Sequence, residues 1–348
     1  MNKGGENLAN SKIYRDDDAS LKYLEDKTVS IIGYGNQGRA QALNMRDSGV
    51  EDIIVGNIQD ESWEQAEKDG FDVYEISEAS EKGDIVFMLI PDEVAPEVYR
   101  GKIKENLEEH NVLHFASGYN ITYSFIEPPE NVDVTMVAPR MIGETVRGLY
   151  EKGDGAPALF AVNQDSSGDA KEIALAISKA IGATRSGTIE GTFEMETKTD
   201  LLSEQGLIPV FISALMAKYE VELGEGIPPE LILTEEYLSR EIAHIFEQMA
   251  KKGILGQLPL HSRTSQYGTL SRLDEIKEGE TESLDFDSIK KFMKKQMNKI
   301  DTGKFAREWS SEQEHDRPSF KRLYNKYENS DFIEDEQETM EKLGLKEE

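Results

Sequence analysis

The chain has 348 residues, no cysteine, and 68 acidic against 39 basic residues, for a formal net charge of −29. This length accommodates two domains, the acidic balance argues against nucleic acid or an anionic membrane as a partner, and the lack of cysteine excludes disulfides and thiolate metal sites. The mean hydropathy is −0.56. The N-terminus has no apolar signal-peptide region, and no apolar run approaches the ~20 residues of a membrane span. We therefore expect a cytoplasmic protein.

Strands and helices alternate through the first half of the chain, after a loose lead-in over 1–12. Apolar runs between turn residues indicate the strands, and apolar residues at helical spacing indicate the helices. The predicted strands are 29–32, 52–56, 72–74, 84–91, 111–116, 133–140 and 156–165. The predicted helices are 13–24, 36–48, 63–70, 76–83, 92–107 and 169–181. This alternation predicts an α/β fold with a Rossmann-type, doubly wound parallel sheet.

The pattern changes at about residue 187. Apolar residues at helical spacing fill 199–222 and 230–253, with few strand signals. We therefore predict a Rossmann domain over 1–186 and an all-helical domain over 187–331. The segment 332–348 is acidic and poor in apolar residues, which is typical of a disordered or loosely helical tail.

A glycine motif, GYGNQG, occupies 33–38 between the first buried strand and a helix that ends at Gly49. Gly33 permits the tight turn out of the strand, Gly35 lets a pyrophosphate approach the backbone, and Gly38 lets the helix pack closely on the strand. The helix N-terminus offers free N–H groups to phosphates. Because a second strand follows at the expected distance, the motif predicts a dinucleotide site rather than a purely structural turn.

The loop after the second strand, NIQDES over 57–62, bears on the choice between NADH and NADPH. It holds no basic residue to pair with a 2′-phosphate, and its carboxylates at Asp60 and Glu61 would repel one. We therefore expect a preference for NADH. The hydroxyl of Ser62 keeps NADPH possible, and the alternative is an acidic turn that touches no ligand.

Carboxylates at helical spacing mark the second half of the chain. Asp200 and Glu204 are four residues apart, so on a helix they share one face, and oxygen ligands in this arrangement suit Mg²⁺. Another predicted helix carries Glu235, Glu236 and Glu241. From spacing alone, each group is more simply explained as a solvated acidic helix face than as a metal site.

Over about 14–320, the chain resembles the ketol-acid reductoisomerase family, also called acetohydroxy acid isomeroreductase. The stretches that carry the resemblance are YRDDDASL, GYGNQGRAQALNMRDSGV, IPDEVAPEVY, FASGYNI, MVAPRMIGETVR, ETKTDLLSEQ, SRTSQYG, GKFAREW and RPSF. In this family, Mg²⁺ ions activate a 2-hydroxy-2-alkyl-3-keto acid for alkyl migration, and a nicotinamide then reduces the product. The resemblance implies a role in valine, isoleucine and leucine biosynthesis. It also implies a homodimer or higher homo-oligomer, in which the helical domain of one protomer completes the partner's metal site.

The resemblance also implies site residues, position by position. The cofactor positions are Gly33, Tyr34, Gly35, Asn36, Gln37, Gly38, Asp92, Glu93, Val94, Ala95 and Gly143. The Mg²⁺ ligands would be Asp200, Glu204 and Glu235, and Ser262 would bind the keto acid substrate.

Three departures from the family pattern fall on its isomerase centre. Ser117 replaces a histidine, Arg140 replaces a lysine, and Ser239 stands at the fourth carboxylate position. We expect Ser117 and Arg140 to occupy the catalytic positions. His114 is predicted on the opposite face of its strand and so does not substitute for the missing histidine. Glu241 could replace the fourth carboxylate only if its helix were shifted, and the sequence gives no geometric argument for such a shift.

These departures leave three hypotheses. The chain is a reductoisomerase that performs both steps, a reductase of a keto acid or imine that has lost alkyl migration, or an NAD(H)-binding sensor without turnover. We favour the first, because the resemblance extends over most of the chain.

Overall fold

The computed structural model describes residues 11–281 and 283–346. The chain divides into two compact units, with the division between Thr199 and Asp200. This division lies after the predicted boundary at 187, and the strand 188–190 hydrogen-bonds to 158–160 in the first unit's sheet. Most of the predicted lead-in, residues 1–10, lies outside the described residues.

Within the described part of the first unit, nine strands form one sheet, in the order β1-β9-β8-β7-β6-β5-β2-β3-β4. The strands are β1 Ile13–Tyr14, β2 Val29–Ile32, β3 Ile53–Asn57, β4 Asp72–Glu75, β5 Ile85–Met88, β6 Val112–Phe115, β7 Asp133–Pro139, β8 Ala158–Gln164 and β9 Thr188–Glu190. The pairs from β4 to β7 are parallel, as predicted for a Rossmann-type fold. The pairs β7–β8 and β1–β9 are antiparallel, which the sequence pattern did not indicate.

Helices connect the strands and make up the second unit. Those of the first unit are α1 Asn36–Asp47, α2 Glu61–Lys68, α3 Ile76–Lys82, α4 Ala95–Val98, α5 Tyr119–Thr122, α6 Gly143–Glu151, α7 Ala170–Ala180 and α8 Ala183–Ser186. The helix α9 Phe193–Leu202 crosses the division, and the second unit continues with α10 Ile208–Gly224, α11 Pro229–Leu233, α12 Glu241–Lys252, α13 Arg263–Glu278, α14 Phe286–Asp301, α15 Lys304–Glu314, α16 Pro318–Glu328 and α17 Asp331–Lys342. The prediction of a mostly helical second half is confirmed.

Both faces of the sheet are buried, which explains why its strands read as continuous apolar runs. Successive residues of β2 point to opposite faces, so Ile31 packs in one apolar cluster and Ile32 in the other. Both side chains are completely inaccessible to solvent. This doubly covered sheet fixes the strand ends from which the candidate site is built.

Two predicted helices of the first unit are wrong. The segment 13–24 forms β1 and two 3₁₀ turns, because its backbone pairs with β9 and the Tyr14 hydroxyl donates to Glu190 at 2.8 Å. The segment 92–107 is broken into α4, a π-helical turn at Tyr99–Ile103 and a 3₁₀ turn at Lys104–Asn106. Sequence periodicity reports neither long-range pairing nor a change of helical type.

The acidic C-terminal segment forms a docked helix rather than a disordered or loosely helical tail. The helix α17 packs against α11, and Thr339 on its inner face is buried. The Phe332 ring meets the Tyr219 ring edge to face at 4.9 Å. Acidic residues cover the outer face, which is why composition alone suggested a tail. The last two residues, 347–348, lie outside the described residues.

A 32-residue helical stretch, Phe193–Gly224, corrects the expectation about apolar runs. Its most apolar 18-residue window has a mean hydropathy of 1.3, so by length and composition alone this stretch is long and apolar enough to cross a membrane. Polar residues interrupt it, and for this reason no continuous apolar run is visible in the sequence. Core helices of water-soluble proteins can be equally long and apolar, so these properties are weak evidence for a membrane-spanning helix. Only 11% of this window is buried within the chain, however, which is less than a core helix would show.

Candidate active site

The three glycines of the turn have steric reasons for being glycine. Gly33 has φ +96°, and a Cβ there would lie 2.8 Å from the Leu89 carbonyl oxygen. A Cβ on Gly38 would lie 2.0 Å from the Gly33 carbonyl oxygen, so α1 packs directly on the turn. At Gly35 a Cβ would meet nothing within 4 Å, leaving open space beside the backbone at the start of α1. This arrangement matches a strand–turn–helix site for a pyrophosphate.

Two amides of the motif join the start of α1 to the start of α6. The Asn36 side-chain oxygen accepts from the Glu144 backbone N–H at 3.1 Å, and Gln37 donates through Nε2 to the Met141 carbonyl at 2.9 Å. A Cβ on Gly143 would lie 2.1 Å from the Asn36 carbonyl oxygen. Asn36, Gln37 and Gly143 therefore hold the two helices together, a role that sequence spacing did not reveal.

A cavity of about 650 Å³ opens beside the start of α1. The two arginines at this cavity are already paired: Arg39 with Asp69 at 2.7 Å, and Arg147 with Asp47 at 2.7 Å and Glu151 at 2.9 Å. The Arg39 guanidinium holds the pKa of Asp69 below its usual range. Three glutamates also line the cavity: Glu61, Glu144 and Glu151.

Tyr34 lies at the edge of this cavity with its side chain buried. Its hydroxyl donates to Asp69 at 2.9 Å, and its ring meets Phe71 edge to face. Burial, reinforced by the bond to Asp69, raises the pKa of Tyr34, so the hydroxyl remains protonated at all ordinary pH values. The side chain therefore anchors the turn in the core, and only its outer edge borders the cofactor cavity.

Asp60 is exposed and forms the N-cap of α2. Its Oδ1 accepts from the backbone N–H groups of Ser62 and Trp63 at 2.9 and 3.1 Å, and from Asn57 Nδ2 at 2.8 Å. Glu61 and Ser62, the next residues, line the cavity instead. Both carboxylates of this loop are exposed, and Glu61 is the one that borders the cavity.

A polar cluster, defined as Asp92, Ser117, Asn120, Arg140 and Glu196, lies where β5, β6 and β7 end. Ser117 donates to Asp92 Oδ2 at 3.4 Å, and Asn120 donates to Asp92 Oδ1 at 2.8 Å. Ligands of doubly wound sheets bind at the carboxyl ends of the strands. The structure therefore brings the predicted Asp92, Ser117 and Arg140 to one site. The neighbouring Glu93 and Val94 lie on the surface of the same loop, and Ala95 is buried at the start of α4.

An ion pair that sequence reasoning missed holds Arg140 in this cluster. Its Nη2 lies 2.7 Å from Glu196 Oε1, and the Glu196 side chain is only 2% exposed. Glu196 Oε2 also accepts from the Gly118 backbone N–H at 2.8 Å. A Cβ on Gly118 would lie 2.4 Å from the Phe193 carbonyl oxygen, so the backbone approaches too closely for any side chain there. The signal in the sequence was Glu196 itself, four residues before Asp200 on the same helix.

His114 takes no part in the cluster. It is fully buried within β6, and its Nδ1 lies 2.7 Å from Thr135 Oγ1 on β7. Burial lowers its pKa to about 3, so the ring is neutral at all physiological pH values. The prediction that His114 does not replace the missing catalytic histidine agrees with this placement.

The buried ring predicts an acid sensitivity. Since the pKa of His114 is about 3 in the folded state and near 6.5 when unfolded, only the unfolded state takes up its proton between these values. Below pH 6.5 the free energy of unfolding should therefore fall by about 1.4 kcal/mol per pH unit from this residue. Urea unfolding of His114→Gln and the wild type at pH 7, 6, 5 and 4 measures the contribution. The variant should show a shallower decline, and parallel curves would refute the assignment.

The candidate metal ligands of the second unit lie on helix and turn positions that favour a function. Glu204 and Glu235 each occupy the second position of a π-helical turn, at Ser203–Leu207 and Thr234–Leu238. Such turns are rare in proteins, and those that do occur often lie at functional sites. Asp200 is half-buried on α9, one helical turn before Glu204.

The described residues of one chain do not assemble a full metal centre. Among residues 11–281 and 283–346, no group of three or more Asp, Glu or His side chains is placed to hold a metal ion. The donor chemistry nevertheless fits Mg²⁺, which takes one or two carboxylates and keeps several waters. Ser239 is exposed, and Arg240 with φ +65° separates it from Glu241, the first residue of α12. The predicted substrate residue Ser262 caps α13, where its hydroxyl accepts from the Ser265 N–H at 3.2 Å.

Comparison with known proteins matches both units. A family model described as "Acetohydroxy acid isomeroreductase, NADPH-binding domain" matches residues 23–187, and one described as "Ketol-acid reductoisomerase, C-terminal domain" matches 193–343. A ketol-acid reductoisomerase (NADP(+)) of Methanopyrus kandleri is 46% identical over 92% of this chain and 95% of that protein. One from Pyrococcus abyssi is 46% identical over 86% of this chain and 88% of that protein. A solved NADH-preferring ketol-acid reductoisomerase from an uncultured archaeon superposes with a TM-score of 0.86 at 36% identity, covering 95% of this chain and 98% of that one.

Proposed function

Because this chain belongs to the ketol-acid reductoisomerase family, we propose that it converts a 2-hydroxy-2-alkyl-3-keto acid such as 2-acetolactate into a 2,3-dihydroxy acid. The reaction joins Mg²⁺-dependent alkyl migration to reduction by a nicotinamide, and it serves branched-chain amino acid biosynthesis in the cytoplasm. The observation that carries the proposal is the polar cluster around Arg140 and Glu196, at the strand ends where such folds bind their ligands.

The side chains would divide the work as follows. Asp200, Glu204 and Glu235 would hold Mg²⁺, which when bound supplies Lewis-acid polarisation of the substrate's oxygens. Arg140, oriented by Glu196, presents a permanent positive charge to an anionic substrate, but it cannot donate a proton near neutral pH. Ser117, hydrogen-bonded to Asp92, is the group left at the family's histidine position to exchange a proton.

The charge around the cofactor cavity supports NADH as the preferred cofactor. Both arginines at the cavity are paired with carboxylates, and Glu61 adds a negative charge where a 2′-phosphate would lie. The similar proteins include both NADP(+) and NADH enzymes, so similarity alone does not decide the cofactor preference. We infer that NADPH binds more weakly because both arginines among the described residues that line the cavity are already paired with carboxylates.

Charge reversal at this position tests the preference. Glu61→Arg should raise kcat/KM for NADPH about tenfold, because the new guanidinium can pair with the 2′-phosphate, while kcat/KM for NADH stays nearly constant. Glu64→Arg is the matched control: it lies on the same helix and is exposed, but it does not line the cavity. An equal gain in both variants would reduce the effect to net charge and contradict the assigned position.

We further propose a homodimer with no nucleic acid or membrane partner. Large apolar side chains remain exposed along the 32-residue helical stretch. In aqueous solution, an apolar surface of this kind is normally covered by another protein surface. The exposed residues are Leu207, Ile208, Ile212, Val221 and Leu223. A second copy of the chain would cover them and add carboxylates to the ones that the described residues of a single chain bring to the metal centre. Light scattering on the purified protein should give twice the chain mass of 39.1 kDa.

A specific observation favours one alternative function, reduction without migration: Ser117, Arg140 and Ser239 all depart from the family's isomerase centre. Assays of NADH oxidation with and without Mg²⁺, on 2-acetolactate and on 3-hydroxy-3-methyl-2-oxobutanoate side by side, separate the two. We expect Mg²⁺-dependent turnover of both compounds. Turnover of the second compound alone would establish the reductase, and turnover of neither would overturn both.

A further inference from the structure

The C-terminal helix α17 meets the part of the second unit that carries Glu235. The π-helical turn Thr234–Leu238 follows directly on α11, and α17 packs against α11. Tyr237, two residues after Glu235, donates its hydroxyl to Glu336 on α17. At the other end of the segment formed by α11 and this turn, Lys342 on α17 lies 2.7 Å from Glu230 near the start of α11. Both ends of the segment are therefore attached to α17.

A third contact fixes α17 to α10. The Tyr219 hydroxyl donates to Asp335, and the Tyr219 and Phe332 rings meet edge to face. Tyr219 belongs to a small apolar cluster with Ile232 and Leu233 of α11. The helix is therefore held by an apolar contact and by hydrogen bonds from two tyrosines, which together define its position along α11.

The turn that α17 holds is in an unfavourable conformation. The Glu236 side chain is completely buried, and neither of its oxygens has a hydrogen-bond partner among the described residues. Lys218 Nζ forms only a long ion pair with Glu236, at 3.6 Å, and bonds Glu222 more closely, at 2.6 Å. Burying such a carboxylate costs free energy. At the end of the turn, Arg240 adopts φ +65°, which is uncommon for a residue other than glycine.

A turn with these two costs keeps its conformation only if surrounding contacts hold it. Without them, a small rotation would bring Glu236 toward water and displace Glu235, its neighbour. The Tyr237–Glu336 hydrogen bond opposes this rotation at the turn itself, and the Lys342–Glu230 pair opposes it one element earlier.

We propose that α17 is a positioning element for the metal site: through Tyr237 and Glu336 it fixes the π-helical turn so that Glu235 is aimed to bind a divalent cation. This inference rests on the proposed function, which assigns Glu235 as a ligand. Groups that orient metal ligands commonly change metal affinity by 10- to 100-fold when they are removed. Tyr237 and Glu336 act through Glu235 and are not themselves catalytic residues.

Direct Mn²⁺ binding to the full-length protein, followed by electron paramagnetic resonance of free Mn²⁺, tests the proposal without an activity assay. Tyr237→Phe and Glu336→Leu remove the hydrogen bond and should each weaken Mn²⁺ binding about tenfold. Glu336→Gln retains an acceptor oxygen and should bind as the wild type does. Glu334→Leu, at an exposed position of the same helix, controls for loss of charge. Affinity for NADH should be the same in all variants.

The outcomes separate this proposal from the function on which it rests. If the wild type binds Mn²⁺ and Tyr237→Phe binds it equally well, the positioning role is refuted and the proposed function is untouched. Equal weakening by Glu334→Leu, or by all variants in proportion to their thermal unfolding midpoints, would make α17 a merely structural element. If the wild type itself binds no divalent cation, the proposed function fails and the positioning role fails with it.

Discussion

Asp200→Asn should abolish Mg²⁺-dependent turnover, lowering kcat/KM by about a thousandfold or more. The reason is that a metal at this site contributes several kcal/mol of transition-state stabilisation, and each 1.4 kcal/mol is tenfold in rate. The substitution keeps the size and shape of the side chain but removes the negative charge that binds the cation. Because Asp200 is half-buried on α9, we expect little change in the unfolding midpoint.

The measurement compares NADH oxidation across a Mg²⁺ titration with NADH binding in the absence of substrate. Asp274→Asn, which removes a carboxylate from an exposed position on α13, is the matched control and should retain wild-type turnover. Turnover by Asp200→Asn within tenfold of the wild type would show that the carboxylate pair on α9 and its following turn is not the metal site.

Arg140→Met should lower stability and activity together. Glu196 is 2% exposed, and Arg140 Nη2 is the cationic group 2.7 Å from it. Removing one member of a buried ion pair typically costs 3–5 kcal/mol, and since Arg140 is 35% exposed, we expect about 2–4 kcal/mol. Loss of the positive charge at the substrate position should also reduce kcat/KM about a hundredfold or more.

A double variant separates the two effects. Arg140→Met with Glu196→Leu removes both charges, so most of the lost stability should return, as it does when a buried pair is replaced by apolar groups. Activity should not return, because the positive charge is still missing. Urea unfolding and steady-state kinetics on the single and double variants provide both readouts. Recovery of activity in the double variant would mean that Arg140 serves only to neutralise Glu196.

Features of the fold that depend on neighbouring residues could be predicted from the sequence. The glycine motif is one example: Gly33 and Gly38 are required by backbone contacts within a single strand–turn–helix unit, and the motif reports that unit directly. Short runs of β-branched residues predicted the buried strands in the same way. The α/β class and the helical second half followed from these local patterns.

Features that depend on distant residues could not. The strand β1 exists because Ile13 and Tyr14 pair with residues more than 170 positions away. The position of Glu196, four residues before Asp200, does not reveal that it accepts from Arg140 and Gly118, and the composition of the 57–62 loop does not reveal that Asp60 caps α2. The docked helix α17 was missed because its acidic outer face dominates its composition, while its inner contacts are few and specific.

We propose that this chain migrates an alkyl group with Ser117, Arg140 and Ser239 at the positions where the resemblance implies a histidine, a lysine and a carboxylate. The most direct measurement is NMR of the product formed from 2-acetolactate labelled with ¹³C in the methyl group on C2, in the presence of NADH and Mg²⁺. The account predicts that the label appears in a geminal methyl group on C3 of 2,3-dihydroxy-3-methylbutanoate. A product that retains the label on C2, or turnover only of the already rearranged keto acid, would contradict it.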